Sequence, residues 1–398
     1  MIEEIFDPHN QTVPVKSWAT GLETSSREQF IHLASLPFIF KHVAAMPDAH
    51  TGIGAAVGSV FATQNEILPA AVGVDIGCGM CALPTRVQAS RISLKDFDRI
   101  ARKIFGAIPT GFKGHKAIRD WPSAPRGGGF DYESSDPELT REIREKAAYK
   151  IGTLGGGNHF IELQRDPHGN LWLMVHSGSR NIGKQIADHF IKTAKRLNKE
   201  ERFDIPPGLN FLRVDSEEGK NYLADMNWAL AYAFENRRQI VATCIEVLAD
   251  ELDRIKLKLD YDPNEQINIH HNYAVRERHF GRDVWVHRKG ATAAHSGLRG
   301  IIPGSMGTAS YIVVGKGNPE SFCSCSHGAG RAMSRTEARL RIGKHDLERA
   351  LGDVKVAHGG DVRDEAPQAY KNITQVMDNQ SDLVDILVKL TPLATVKG

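Results

Sequence analysis

The alternation of hydrophobic and polar positions predicts a chain that mixes helices with strands. After Ser93, apolar residues fall at Leu94, Phe97, Ile100, Ala101, Ile104, Phe105 and Ile108. That is the three- and four-residue spacing of one helix face, with Ser93 and Asp96 as a start signal and Pro109 as a stop. A longer segment, 216–256, carries Tyr222, Met226, Ala229, Leu230, Ala233, Phe234, Ile240, Val241, Ile245 and Leu248. It predicts one long helix, or a helical hairpin broken near Asn236-Arg237, protruding from the body. Apolar runs at 57–61, 171–175, 267–269, 284–286 and 311–314 predict strands. Several run straight into polar, glycine-rich turns, a rigid way to present a functional side chain. Residues 111–136, with several Gly, two Pro and Trp121, predict a long flexible surface loop. The expected architecture is α+β: one large mixed domain over 1–398, its sheets carrying the site loops and its helices surrounding them.

Composition narrows the class. Of 398 residues, 41% are hydrophobic and 25% charged, which excludes a disordered chain, a collagen-like chain and a coiled coil. No apolar run approaches a membrane span. The start, Met1-Ile2-Glu3-Glu4, lacks the basic-then-apolar pattern of a secretory signal, so a cytoplasmic location without membrane attachment is expected. Lys plus Arg total 50 against 48 Asp plus Glu, a net charge of +2. Any contact with nucleic acid must therefore rest on local patches. The five cysteines are odd in number and irregularly spaced, so they read as thiols or metal ligands.

The chemistry-bearing residues cluster at glycine turns and strand ends. Asp75 and Cys78 stand three apart in Val72-Gly73-Val74-Asp75-Ile76-Gly77-Cys78-Gly79-Met80. His159 follows Gly155-Gly156-Gly157-Asn158, and His176 ends an apolar run before Ser177-Gly178-Ser179-Arg180. His270-His271-Asn272 ends another run, and His327 opens a loop of small residues, Gly328-Ala329-Gly330. Packing alone does not account for four such histidines beside an Asp/Cys pair. One carboxylate, one thiol and three imidazoles exceed the four ligands of a structural zinc, but suit two ions sharing a thiolate. The thiolate favours zinc and the carboxylate manganese, a choice that ligand chemistry alone leaves open. Two cations suit phosphoryl chemistry. The small-residue loops 177–180, 303–307 and 327–330 can aim backbone N–H groups at an anion, with Arg180, Arg331 and Arg335 beside them.

Taken together, these stretches resemble the RtcB family of RNA-splicing and RNA-repair ligases, in a bacterial-length form. The matching motifs run in family order over nearly the whole chain: Met46-Pro47-Asp48-Ala49-His50, Gly73 to Met80, Gly157 to Glu162, His176 to Arg180, His271-Asn272, Arg288-Lys289-Gly290-Ala291, Ile302 to Gly307, Ser326 to Arg331, Glu365-Ala366-Pro367 with Ala369-Tyr370-Lys371, and Val396-Lys397-Gly398. The resemblance implies an enzyme in which His327 attacks the α-phosphate of GTP and becomes guanylylated. GMP then passes to an RNA 3′-phosphate derived from a 2′,3′-cyclic phosphate, and a 5′-hydroxyl RNA end displaces it. It also implies two Mn²⁺ ions, with Cys78 bridging, His176 and His271 on one ion, and Asp75 and His159 on the other. Guanosine contacts would come from Asn158, His159, Phe160, Ile161 and Glu162, from His271 and Asn272, and from Pro303, Gly304, Ser305, Met306 and Ser310. Gly328, Ala329, Gly330, Tyr370 and Lys397 would complete that pocket, and Arg180, Arg331 and Arg335 would meet RNA phosphates. The implied partners are tRNA or rRNA fragments and, as in some relatives, an activating protein.

Residues 111–130 follow no family pattern, and Leu298 stands where many relatives carry a polar residue; both bear on RNA choice. A second reading is a dinuclear metallophosphoesterase that opens RNA cyclic phosphates without joining ends. A third is a non-catalytic RNA-binding protein, which the 7% aromatic content and near-neutral charge disfavour. His327 and Lys397 separate the readings, since a hydrolase has no use for either.

Overall fold

The computed structural model of the chain describes residues 1–122, 130 and 132–398. Two large sheets organise it. The site sheet has eight strands in the order Ile267–His270, Gly79–Gln88, Asn170–Ser177, Phe160–Arg165, Val384–Lys397, Ser310–Gly315 and Arg299–Ile302, with Lys355–His358 pairing parallel to Val384–Lys397. Its first and last strands pack against each other, so the sheet curls towards a barrel. The period-two alternation of side chains sorts its residues. Met80, Ala82, Trp172, Met174, Ile301, Ile312 and Leu390 fill one cluster. Cys81, Leu83, Ile161, Leu163, Leu173 and Val175 face outward into another, under two helices.

The first of those helices is Leu94–Ala107, as its spacing predicts. Ser93 caps it by accepting the Asp96 N–H, and Phe97, Ile100 and Ile104 are buried. The second is Glu217–Arg254, a single continuous helix of 38 residues, the first of the two forms expected, but the expected protrusion is corrected. It does not break at Asn236-Arg237, and it does not protrude. It packs along the site sheet and the Ile182–Glu200 helix, and even Asn236, Arg237 and Gln239 are buried. The chain is apolar on more than one side here because the helix runs between two cores.

The second sheet has six strands, in the order Glu3–Ile5, Val15–Ser17, Ile39–His50, Val57–Thr63, Arg282–Lys289 and Asn272–His279. It buries one face against the Thr24–Ala34 helix. Two short strands, Ala291–Ala293 and Ser324–Ser326, lead from it to His327. All five predicted strand runs are strands, each extended by one to three residues at one or both ends.

The expected loop is irregular over 111–122 and 132–136, and the Pro137–Lys150 helix follows it. It is nonetheless anchored: Trp121 and Tyr132 are buried against Trp228, and the Arg119 N–H donates to Ala148 O. The remainder of that prediction, 123–129 and 131, lies outside the described residues. No helix among the described residues is long and apolar enough to cross a membrane.

Candidate active site

Strand register brings the ligand loops together. Gly79 pairs with both His270 and Ser177, and His176 pairs with Met80 and Phe160. Cys78, His176 and His271 therefore stand at the same end of three neighbouring strands. Backbone hydrogen bonds fasten the loops further: His271 N–H to Cys78 O at 2.9 Å, and Gly77 N–H to Asn272 O at 3.0 Å. Asn272 lies outside the cleft. Its Nδ2 donates to Asp75 O at 3.1 Å and its Oδ1 accepts the Gly290 N–H at 2.8 Å, so it ties the loop rather than lining a pocket.

The side chains converge on the thiol. Cys78 Sγ lies 3.4 Å from His159 Nε2 and 3.2 Å from His176 Nε2. His176 Nε2 lies 3.1 Å from His271 Nε2, and His159 Nε2 lies 3.3 Å from Asp75 Oδ2. The five residues thus form two lobes about Cys78, one of Asp75 and His159, the other of His176 and His271. The ligand atoms of Cys78, His159 and His176 all lie within 4.8 Å of one another. His270 points elsewhere, its Nδ1 3.1 Å from Gly77 O.

The donor set fits a cation. Burial, reinforced by neighbouring imidazoles, holds His176 and His271 far below the usual histidine range, so both are neutral. His176 Nδ1 lies 3.1 Å from Asn158 O; donating there leaves the Nε2 lone pair facing the cluster, as a metal ligand requires. Burial and the Asp75 charge push the Cys78 thiol well up, so without a cation it stays protonated. Burial would also raise Asp75, but His159, Arg180 and Cys78 outweigh it and keep the carboxylate ionised. Space is tight: Gly155 has φ +95°, and a Cβ there would sit 2.4 Å from both His159 Nδ1 and Arg180 Nη1.

Beside the cluster opens a cleft. Asn158, Phe160, Glu162, Pro303 to Met306, Ser310, Gly328 to Gly330, Tyr370 and Lys397 line it, together with His50, His176 and His327. Of the residues expected to contact a nucleotide, His159, His271 and Asn272 belong to the ligand loops instead. Ile161 is a correction: Phe160 and Glu162 face the cleft, so the intervening Ile161 side chain points into the opposite core. Burial pushes Glu162 up to about 7, while Thr395 Oγ1 and Gln164 Nε2 donate to it at 3.0 and 2.6 Å.

His327 stands where cleft and cluster meet, its ring centroid 4.8 Å from that of His271. Its Nδ1 lies 2.6 Å from Asp48 Oδ2, which also accepts the N–H groups of His327 and Gly328. Asp48 is fully buried. Reading the sequence gave it no role, although an aspartate inside an apolar strand was the signal available.

The far wall is a charged network centred on Glu365. This carboxylate meets Lys397 Nζ at 2.8 Å, Tyr370 OH at 2.7 Å, Arg335 Nη1 at 2.5 Å and Arg331 Nη1 at 3.3 Å. Arg335 also meets Asp364 at 2.8 Å. Arg331 and Arg335 thus line the cleft with carboxylates already bound, and Glu365, like Asp48, was not singled out from sequence. Arg180 lies across the cluster, donating to Thr153 Oγ1 at 2.9 Å and Gly111 O at 2.8 Å. It lines a separate groove with Asp75, Lys146, Lys150 and Lys184.

Comparison with known proteins decides the lineage. The family model for tRNA-splicing ligase RtcB matches residues 29–398. The chain belongs to the RtcB family. It is 40% identical to RNA-splicing ligase RtcB of Escherichia coli K12 and to RNA-splicing ligase RtcB1 of a second E. coli strain, in each case over 98% of both chains. It is 31% identical to tRNA-splicing ligase RtcB of Archaeoglobus fulgidus, over 95% of this chain and 92% of that one. The mixed helix-and-sheet architecture agrees with RtcB membership, and the RtcB motifs quoted above supply the ligand loops, His327 and most of the cleft.

Proposed function

We propose that this RtcB chain is a GTP-dependent RNA ligase of the cytoplasm, joining RNA ends that carry a 2′,3′-cyclic phosphate or 3′-phosphate to ends that carry a 5′-hydroxyl. The observation that carries the reading is the position of His327, backed by buried Asp48 and standing between the cleft and a cluster of metal-ligand type. A hydrolase needs a cluster and a phosphate groove, but not an oriented imidazole facing a separate cleft.

Nucleotide transfer follows from this arrangement. With Nδ1 held toward Asp48, the Nε2 lone pair of His327 attacks the α-phosphorus of GTP; an N–P bond forms and pyrophosphate leaves. The Asp48 carboxylate stabilises the positive charge that develops on the ring. Glu162 and Ser310 offer acceptors to the guanine edge, and Lys397 a charge held in place by Glu365. An oxygen of the RNA 3′-phosphate then attacks the histidine-bound phosphorus and frees His327. Finally the 5′-hydroxyl attacks the activated RNA phosphorus, forming the new phosphodiester and expelling GMP. Asp75, Cys78, His159, His176 and His271 would hold two Mn²⁺ ions, which polarise phosphate oxygens and neutralise charge in such displacements. Each step is substitution at phosphorus, so the residues act chiefly by positioning and by charge compensation.

The test is a two-strand assay with GTP and Mn²⁺, run with and without an activating protein partner of the kind some relatives use. One RNA ends in a 2′,3′-cyclic phosphate, the other begins with a 5′-hydroxyl. The expected product is the joined strand, lost on omitting GTP. Opening of the cyclic phosphate without joining in every condition would favour the metallophosphoesterase.

A further inference from the structure

Arg237 lies near the middle of the Glu217–Arg254 helix and is completely buried. Its hydrogen-bond partners are all neutral. Nε donates to Asn268 Oδ1 at 2.7 Å, Nη1 to Gly77 O at 2.8 Å and to Ser177 O at 3.0 Å, and Nη2 reaches His270 Nδ1 at 3.1 Å. These contacts share a pattern. Gly77 precedes Cys78, Ser177 follows His176, and His270 precedes His271. One planar guanidinium therefore holds the immediate neighbours of three ligands that come from three different parts of the chain. It does so without lining the cleft.

The surroundings leave the fork no freedom. A Cβ at Gly79 would lie 3.0 Å from Arg237 Cζ and 2.0 Å from Ile269 O, and a Cβ at Gly77 would lie 2.8 Å from Ala233 Cβ on the same helix. Next to it, Asn236 Nδ2 donates to Thr153 O, Ser177 Oγ and Gly178 O at 3.2, 3.0 and 3.1 Å. A buried cation without a carboxylate partner costs stability through desolvation. Placing one here is rational where three loops must keep a common geometry, because ligand distances in a metal site hold to about 0.2 Å.

We propose that Arg237 is a positioning residue for the metal centre, setting the relative placement of Cys78, His176 and His271 through their backbone neighbours. The inference rests on reading those three as metal ligands. Lysine at 237 keeps the charge but cannot span the same acceptors, since it lacks the planar fork.

Metal binding, rather than ligation, provides the test. The full-length chain is stripped with chelator and titrated with Co²⁺, whose thiolate charge-transfer band reports on Cys78. Arg237→Lys is expected to fold and to bind Co²⁺ about 10- to 100-fold more weakly, with an altered band. Cys244→Ala, which loosens the same helix two turns away, is expected to lower the melting temperature while leaving the spectrum unchanged. A folded Arg237→Lys with wild-type affinity and spectrum overturns the proposal, as does an equal spectral change in Cys244→Ala. Should Arg237→Lys not fold, Asn268→Ala decides, since it removes the acceptor of Nε and otherwise only an exposed bond from Asn268 Nδ2 to Phe234 O. Weaker Co²⁺ binding in that variant supports the positioning role, and unchanged binding overturns it. A wild-type chain that takes up no Co²⁺ overturns the metal-centre reading, and this inference with it.

Discussion

On one side of His327 the strand ends gather Cys78, His159, His176 and His271; on the other, Glu365 gathers Lys397, Tyr370, Arg331 and Arg335. Both groups are largely buried, yet they meet burial differently. The Glu365 wall is satisfied within the protein, with each cation facing a carboxylate, and Lys397 pulls Glu365 below the usual carboxylate range against the effect of burial. The cluster is not satisfied. It turns the neutral imidazoles of His176 and His271 and a protonated thiol toward one another. A wall of complete pairs provides a rigid surface; a knot of lone-pair donors calls for a cation from outside. The difference separates residues that shape the pocket from residues that take up an ion.

The sharpest way to break the comparison is at the cluster. Cys78→Ala is expected to abolish tight metal binding with little change in fold, read by elemental analysis and thermal melting. Full retention of metal would remove Cys78 from the centre. At the opposite wall the prediction reverses. Glu365→Ala leaves Lys397 buried without its anion, while Arg335 keeps Asp364, so it should cost about 3–5 kcal/mol of stability with metal content unchanged. The pH dependence carries a definite sign. Because the folded-state pKa of Glu365 is depressed, its contribution is present above the usual glutamate value of about 4.3 and is lost as pH falls through the lower folded value. Glu365→Gln should flatten the acid limb of the stability profile; an unchanged limb would show that the network is not coupled to folding.

A finer contrast sets adjacent residues against each other. Ile161→Ala opens a cavity in the outer core and should cost about 2–5 kcal/mol, with no specific effect on nucleotide affinity. Glu162→Gln should do the opposite, weakening guanosine nucleotide binding in a folded protein. Since burial raises Glu162 to about 7, its contribution to stability is full below about pH 4.3 and is lost as pH rises through 7, a slope that Glu162→Gln removes. Equal loss of nucleotide affinity in both variants would contradict the assignment of faces. The smallest effect lies far from the site: Ser93→Ala removes a helix cap and should cost about 1 kcal/mol with activity intact, measured by denaturant titration.

Much of the site was legible because its chemistry is local. His176 and His271 end apolar runs, and Cys78 sits in a glycine turn, so residue type and neighbours together flag them. Ile161 was misplaced because a continuous motif was read as a continuous surface, whereas a strand sends alternate side chains to opposite faces. Asp48 and Glu365 escaped because their roles depend on partners 279 and 32 residues away, brought near only by sheet pairing and packing. The long helix misled for a related reason. Asn236-Arg237 looks like a solvent-facing break, yet carbonyls from three loops surround that pair. The Val384–Lys397 strand carries Lys389, Thr391 and Pro392, which interrupt its apolar residues, although it lies between two partners near the middle of the site sheet.

The account turns on His327, and covalent labelling tests it most directly. The chain is incubated with GTP labelled at the α-phosphate, with and without Mn²⁺ and with an activating partner supplied, then denatured and examined for bound label. The account predicts a Mn²⁺-dependent, acid-labile adduct that is absent from His327→Ala, while that variant keeps its metal. Label retained by His327→Ala, or no adduct from the wild-type chain under any of these conditions, would contradict it.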